Sequence, residues 1–234
     1  MFALLVVSFA LSWLTTRGMM TIAPRIGFVD KPGGRKIHDD AMPLGGGVGI
    51  VIGFGLPLLI GLILLFVFKS PPSQLDRFLP ADAELKSALW SGAREQAPLL
   101  LAMLCGALVL HVLGLIDDRR ALGPYVKLVV QLVVAAAVVI AFPTMRILTA
   151  IDSQVGGPWL SVLLTIFWIT AITNAFNFLD NMDGLSAGVA AICGFALLIA
   201  SYTIGQWFVS GMLACLVGGL FGFLVWNFPP AKIF

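Results

Sequence analysis

Apolar residues fall into long runs near residues 1–16, 45–68, 96–116, 126–142, 159–176, 184–203 and 207–226, with polar or Gly/Pro-rich stretches between them. About 20 consecutive apolar residues span a hydrocarbon layer of about 30 Å as a helix, and only helices or closed barrels satisfy their backbone there. The pattern predicts an all-α, polytopic transmembrane bundle of about seven spans, with residues 1–234 as one integral membrane domain. The first and fourth runs are short and need flanking residues or an adjusted tilt to cross. The stretch from Lys69 to Glu95 mixes charges of both signs, which predicts a short surface helix. No Lys or Arg precedes the run from Met1 to Thr16, whereas a secretory signal needs a basic leader, so a retained helix is expected.

Composition supports this reading. Hydrophobic residues make up 59% and charged residues 11%, and mean hydropathy is +1.01, too apolar for a soluble surface. The net charge of +2 is dispersed, so no basic face for nucleic acid is expected. Cys105, Cys193 and Cys215 lie in apolar runs without a CxxC pair, which argues against a disulfide framework or a zinc site. Lys and Arg are unevenly divided between alternate loops. Arg17, Arg25, Lys31, Arg35, Lys36, Arg119, Arg120, Lys127 and Lys232 fall on one side, and Lys69, Arg77, Lys86, Arg94 and Arg146 on the other. The richer side is expected to be cytosolic, which puts the N-terminus outside. Asp117, Asp118, Asp180 and Asp183 then all lie at helix ends on the cytosolic face, where carboxylates near hydrocarbon are costly and usually functional.

The first cluster is GLIDDRRALGPYVK, Gly114 to Lys127. Adjacent aspartates repel, and both stay ionised beside a divalent cation or a fixed positive charge. Mg²⁺ favours a few carboxylates plus substrate phosphates. The plainer alternative is a solvated loop in which Asp117 and Asp118 pair with Arg119 and Arg120. The second cluster, NAFNFLDNMDGL, places Asn174, Asn177, Asp180 and Asp183 three residues apart, which on a helix puts four polar groups along one side. Such amides can read a sugar or a base, and such carboxylates can hold a metal; capping of a helix end is the alternative. The third stretch, Arg25 to Gly47, carries Lys31, Arg35, Lys36 and His38, which could attract phosphates or simply fix topology. Its glycines lack GxGxxG spacing, so a dinucleotide fold is not expected. Gly49/Gly53, Gly184/Gly188 and Gly218/Gly222 have the spacing of close helix packing. His111, inside a span, is expected to make an interhelical hydrogen bond rather than to act in catalysis.

In order, RKIH with a following Gly-Gly, GLIDD with Lys127 and Gln131 downstream, and NAFNFLDNMDGLSAG resemble the polyprenyl-phosphate N-acetylhexosamine-1-phosphate transferases, glycosyltransferase family 4. That family starts O-antigen, teichoic acid and related cell-envelope glycans, and more distantly makes the first lipid intermediate of peptidoglycan. The resemblance runs from Arg25 to the C-terminus. It implies transfer of a sugar 1-phosphate, GlcNAc-1-phosphate being the expected one, from a UDP-amino sugar to undecaprenyl phosphate with release of UMP. It further implies a Mg²⁺ or Mn²⁺ requirement and a multi-pass protein of the bacterial inner membrane with a cytosolic site. Homo-oligomerisation is left open.

By the same resemblance, Asp117 and Asp118 are the catalytic pair, engaging metal and lipid phosphate, with Asp183 as a further metal ligand. Asn177, Asp180 and Asp183 line the nucleotide-sugar site, and Asn174, one turn earlier in the same spacing, is a further substrate-binding candidate. Lys127 contributes positive charge near the phosphates, and His38 lies with Arg35 and Lys36 in the basic motif, all three being further substrate-binding candidates. A phosphate monoester is already mostly a dianion at pH 7, since its second pKa is about 6, so positioning is weighted above proton removal at Asp117. Asn181 stands where family members often have Gly. NFPPAKIF, Asn227 to Phe234, resembles the segment before a further aspartate-containing family motif, which implies a C-terminally incomplete chain that is inactive alone. Two other readings are a membrane prenyltransferase acting on a prenyl diphosphate, whose motifs space aspartates as DxxxD, and a transporter, which would place charges near the bilayer midplane.

Overall fold

A computed structural model describes residues 1–30, 41–73, 75 and 82–234. Arg35, Lys36 and His38 lie outside the described residues. Helices α1 (Phe2–Arg25), α2 (Gly47–Val67), α3 (Ala83–Arg119), α4 (Pro124–Ala141), α5 (Trp159–Leu179), α6 (Leu185–Thr203) and α7 (Trp207–Asn227) hold most of the described residues. Each is long and apolar enough to cross a membrane. The protein is an all-α, multi-pass membrane protein, as the hydrophobic pattern predicts.

Two helices overrun their predicted ends. Helix α1 continues past Thr16 to Arg25, then stops where Gly27 takes φ +68°; there Phe28 N–H bonds to Ala23 C=O and Gly27 N–H to Pro24 C=O. Only a residue without a Cβ takes this left-handed turn at low cost. The expected separate surface helix before residue 96 does not form. Residues 83–97 are rich in Ala, Glu, Leu, Lys and Arg, strong helix formers, so they extend α3 upstream without a break. The Asp82 carboxylate caps this extension by accepting from Leu85 N–H at 2.9 Å.

The chain forms two compact units, residues 1–100 with 182–234 and residues 101–181. In the first, α7 packs against α1, α2 and α6. Ser8, Ser12 and Thr16 form a fully buried stripe on α1. A Cβ on Gly49 would meet Thr16 Oγ1, one on Gly53 would lie 2.7 Å from Ser12 Cβ, and one on Gly218 or Gly222 would meet the Leu5 or Phe9 carbonyl. The Gly49/Gly53 and Gly218/Gly222 spacings thus mark backbone-to-backbone approach, the means by which helices associate in lipid. Gly188 has nothing within 4 Å, so the third pair does not serve this purpose. A short antiparallel pair, β1 (Val29–Asp30) and β2 (Met42–Pro43), precedes α2. The C-terminal segment joins it, Phe234 N–H bonding to Pro43 C=O at 2.9 Å and Gly46 N–H to Phe234 C=O at 2.7 Å.

In the second unit, α4 packs against α5, and Gly106 of α3 lies close enough to α4 that a Cβ would be 3.1 Å from Val134. His111 makes no interhelical hydrogen bond among the described residues. At the α4–α5 connection, Arg146 Nη1 donates to Asp152 Oδ2 at 2.6 Å and Ser161 Oγ at 2.9 Å, and Ile147 N–H donates to Thr165 Oγ1 at 3.0 Å. The neighbouring Ser161 hydroxyl, then the Arg146 guanidinium, hold the Asp152 carboxyl below its usual range against desolvation. A carboxyl lowered in the folded state stabilises it above the unfolded pKa of about 3.9, and that contribution is lost as pH falls through the folded value. The melting difference between wild type and Asp152→Asn is therefore expected to be constant from neutral pH to about pH 4 and to shrink below it. A difference unchanged at about pH 2 would contradict this.

Candidate functional site

Three charges in the second unit sit at the wrong ends of their helices. Asp117 and Asp118 occupy the last turn of α3, where the helix dipole is negative, and Lys127 the first turn of α4, where it is positive. Asp117 and Lys127 resolve it through each other. Lys127 Nζ donates to Asp117 Oδ2 at 2.6 Å, and Leu122 N–H donates to Asp117 Oδ1 at 2.9 Å. The partner of Asp117 is therefore Lys127, ten residues on, and both side chains stay about one quarter exposed, within reach of a ligand.

Gln131 lies one turn after Lys127 on the same face of α4 and is 7% exposed. Its Oε1 accepts from Asn174 Nδ2 at 2.6 Å, and that amide also donates to Thr170 C=O at 2.8 Å. Asn174 is thus engaged in holding α5 to α4. Asn177, one turn further on, is exposed and makes no hydrogen bond among the described residues. Asp180 follows the last residue of α5 and remains open to solvent, yet desolvation alone pushes its carboxyl above the usual range. One end of this unit therefore gathers Asp117, Asp118, Lys127, Asn177 and Asp180, with Gln131 and Asn174 bracing the helices behind them.

The expected single stripe from Asn174 to Asp183 does not form, because α5 ends at Leu179. Asp180, Asn181 and Asp183 are poor helix formers, and Gly184 turns the chain at φ +69° into α6. Asp183 belongs to that turn, in the first unit, where its Oδ2 accepts from Ala231 N–H at 2.9 Å. Asn227 completes the arrangement. Its Oδ1 accepts from Gly184 N–H at 3.0 Å and its Nδ2 donates to Ile233 C=O at 2.9 Å. Sequence reasoning missed this residue; a lone Asn ending an apolar run before Pro-Pro was the available signal. Asn227→Ala would leave two backbone groups without partners, each costing about 1–3 kcal/mol where water cannot replace the amide. The expected result is a lower melting temperature and faster proteolysis between α5 and α6. Unchanged proteolysis there would show that Asn227 does not hold the turn.

Among the described residues no three His, Cys, Asp or Glu side chains form a metal cage. Mg²⁺ does not need one, since it takes one or two carboxylates and completes its shell with water and substrate phosphates. Asp117 and Asp118 provide hard oxygen donors of that kind, although Asp117 has an ammonium partner here.

Helical spans carrying an acidic pair and a lysine at one end define a multi-pass membrane protein with charged groups gathered at an apolar boundary. The sequence model of glycosyl transferase family 4 matches residues 100–234, and the chain belongs to that family. It is similar to a probable undecaprenyl-phosphate N-acetylglucosaminyl 1-phosphate transferase of Bacillus subtilis (strain 168), with 31% identity over 98% of this chain and 57% of that protein. A decaprenyl-phosphate N-acetylglucosaminephosphotransferase of Mycobacterium tuberculosis (strain ATCC 25618 / H37Rv) is 29% identical over 96% of this chain and 53% of its own length. A phospho-N-acetylmuramoyl-pentapeptide-transferase of Geobacillus kaustophilus (strain HTA426) is 32% identical over 71% of this chain and 56% of its own length. The chain spans about half the length of these relatives.

Proposed function

We propose that this protein takes part in transfer of a sugar 1-phosphate, GlcNAc-1-phosphate in the first instance, from a UDP-sugar to undecaprenyl phosphate. Reaction at the cytosolic face of a bacterial plasma membrane would begin a cell-envelope glycan. The observation that carries the reading is the Asp117–Lys127 pair beside Asp118, in a chain of glycosyl transferase family 4. The relatives' names supply the acceptor class, a polyprenyl phosphate. Family membership favours this reading over a prenyltransferase or a transporter.

In the proposed reaction an oxygen of the lipid phosphate attacks the β-phosphorus of the UDP-sugar. A new P–O bond forms, the bond from the β-phosphorus to the bridging oxygen breaks, and UMP leaves with that electron pair. The acceptor is mostly a dianion at neutral pH, so the protein has little need of a base; its task is to hold like-charged phosphates in line. Lys127 is suited to this, because its ammonium can exchange the Asp117 carboxylate for an incoming phosphate. The turn at Leu122 keeps the carboxylate in place meanwhile. Asn177 and Asp180 are the exposed polar groups proposed to meet the nucleotide sugar. Asp117 and Asp118 are proposed to hold Mg²⁺ or Mn²⁺, which would neutralise phosphate charge when bound. Asp183 has one oxygen engaged by Ala231 and the other free for a ligand among the described residues.

The test is UMP release in detergent from UDP-GlcNAc, with and without undecaprenyl phosphate and Mg²⁺, by the 234-residue chain and by the polypeptide its source cell makes. Release dependent on both lipid and metal supports the reading. Absence of release by either form with a panel of UDP-amino sugars would overturn it.

A further inference from the structure

Two tryptophans and two cations meet where α7 ends beside α1. The Trp226 and Trp13 rings stack with centroids 5.9 Å apart, and Trp226 Nε1 donates to Trp13 C=O at 3.2 Å, which fixes the indole. Lys232 N–H donates to Trp226 C=O at 2.8 Å, folding the C-terminal segment back so that the Lys232 ammonium lies 5.6 Å from the Trp226 ring centroid. The Arg17 guanidinium lies 5.7 Å from the same centroid. Both cations are exposed, and neither is paired with a carboxylate among the described residues.

The place of this cluster along the helices matters. Helix α7 stops at Asn227, while α1 runs on past Arg17 to Arg25, so Arg17, Trp226 and Lys232 sit at the depth where α7 leaves the apolar layer. Tryptophan and basic residues concentrate at that depth because their apolar stems and rings lie in hydrocarbon while their polar ends reach headgroups. One ring attracts each cation by only about 0.5–1 kcal/mol at an exposed site, and two cations drawn to it repel each other. An anion accepting from both removes that repulsion. Exposed apolar side chains adjoin the cluster: Leu14 lies one turn before Arg17, and Phe221 and Val225 lie one turn apart on α7 just before Trp226.

We propose that Arg17, Trp226 and Lys232 form a binding site for the phosphate of an anionic glycerophospholipid, whose acyl chains lie along Leu14, Phe221 and Val225. The site shares no residue with the Asp117–Lys127 pair and does not rest on the transfer reaction. A headgroup phosphate accepts from both cations, and the chains cover apolar surface that a free phosphate would leave exposed.

The test is native mass spectrometry of the delipidated full chain titrated with phosphatidylglycerol, phosphatidylcholine or inorganic phosphate. Each juxtamembrane cation contributes roughly a fivefold gain in affinity for anionic lipid. Wild type is expected to prefer phosphatidylglycerol, Arg17→Gln and Lys232→Gln each to weaken it roughly fivefold, and Arg17→Lys to keep it within about twofold. Melting curves accompany each variant. Lys232→Gln serves as the decisive variant should Arg17→Gln disturb α1, because the tail is held there by a backbone bond. Equal binding of phosphatidylglycerol and phosphatidylcholine by wild type, or unchanged phosphatidylglycerol binding by Lys232→Gln, would overturn the proposal. Displacement of the lipid by an equal concentration of inorganic phosphate would overturn the lipid as occupant.

Discussion

Asp117→Asn is expected to lower UMP release by about 10²–10³-fold, the range seen when one preorganised charge-stabilising group is removed from an active site. The substituted amide still offers an oxygen to Leu122 N–H, so the turn after α3 should persist and melting should change little. What it loses is the charge that holds the Lys127 ammonium at 2.6 Å. Lys127→Gln should fall by a similar factor, and the double variant by much less than the product, because the two residues act as a unit. Multiplicative losses would mean that they act separately. An Asp117→Asn protein retaining more than about one tenth of the activity would remove the pair from the mechanism. Measuring KM alongside kcat separates loss of phosphate binding from loss of the reacting geometry.

The second large effect is structural. Gly222→Val should disrupt the contact between α1 and α7, since a Cβ there meets the Phe9 carbonyl and comes within 2.9 Å of Ser12 Cβ and Trp13 N. Backbone atoms cannot rotate away as a side chain can, so the helices must separate. Overpacking of this kind costs about 1–3 kcal/mol, and more where backbone must move. Gly55→Ala and Gly61→Ala face open space and serve as controls. Cys215 is a convenient reporter, being 0% exposed on α7 while Cys105 and Cys193 are exposed. In a Cys105→Ser, Cys193→Ser background, maleimide labelling of Cys215 during heating should begin at a lower temperature in Gly222→Val. Onset at the wild-type temperature would show that the interface tolerates the extra volume.

The spans were legible because burial in lipid imposes an unbroken apolar run, and that requirement is local. Where helices ended was less legible. Helix α1 runs on to Arg25 and α3 begins at Ala83 because backbone hydrogen bonding and good helix formers continue a helix beyond the apolar layer, a feature that hydrophobicity alone does not mark. Conversely, the three-residue spacing from Asn174 to Asp183 looked like one helical stripe, yet Gly184 and its neighbours end the helix inside it.

The candidate site shows the same division. The sequence alone marked Asp117, Asp118 and Lys127 as residues that an apolar segment would not carry without cause, and it placed them at helix ends. That Lys127 rather than Arg119 or Arg120 meets Asp117 was decided by the turn between α3 and α4, which sets two residues ten apart at 2.6 Å. Likewise, tertiary structure alone joined Gln131 to Asn174 across two helices and Asn227 to the turn at Gly184, both pairs separated by 43 residues. Local pattern reports what each segment needs from its solvent. Which polar groups satisfy one another depends on where the folded chain returns, and no local period in the sequence records that.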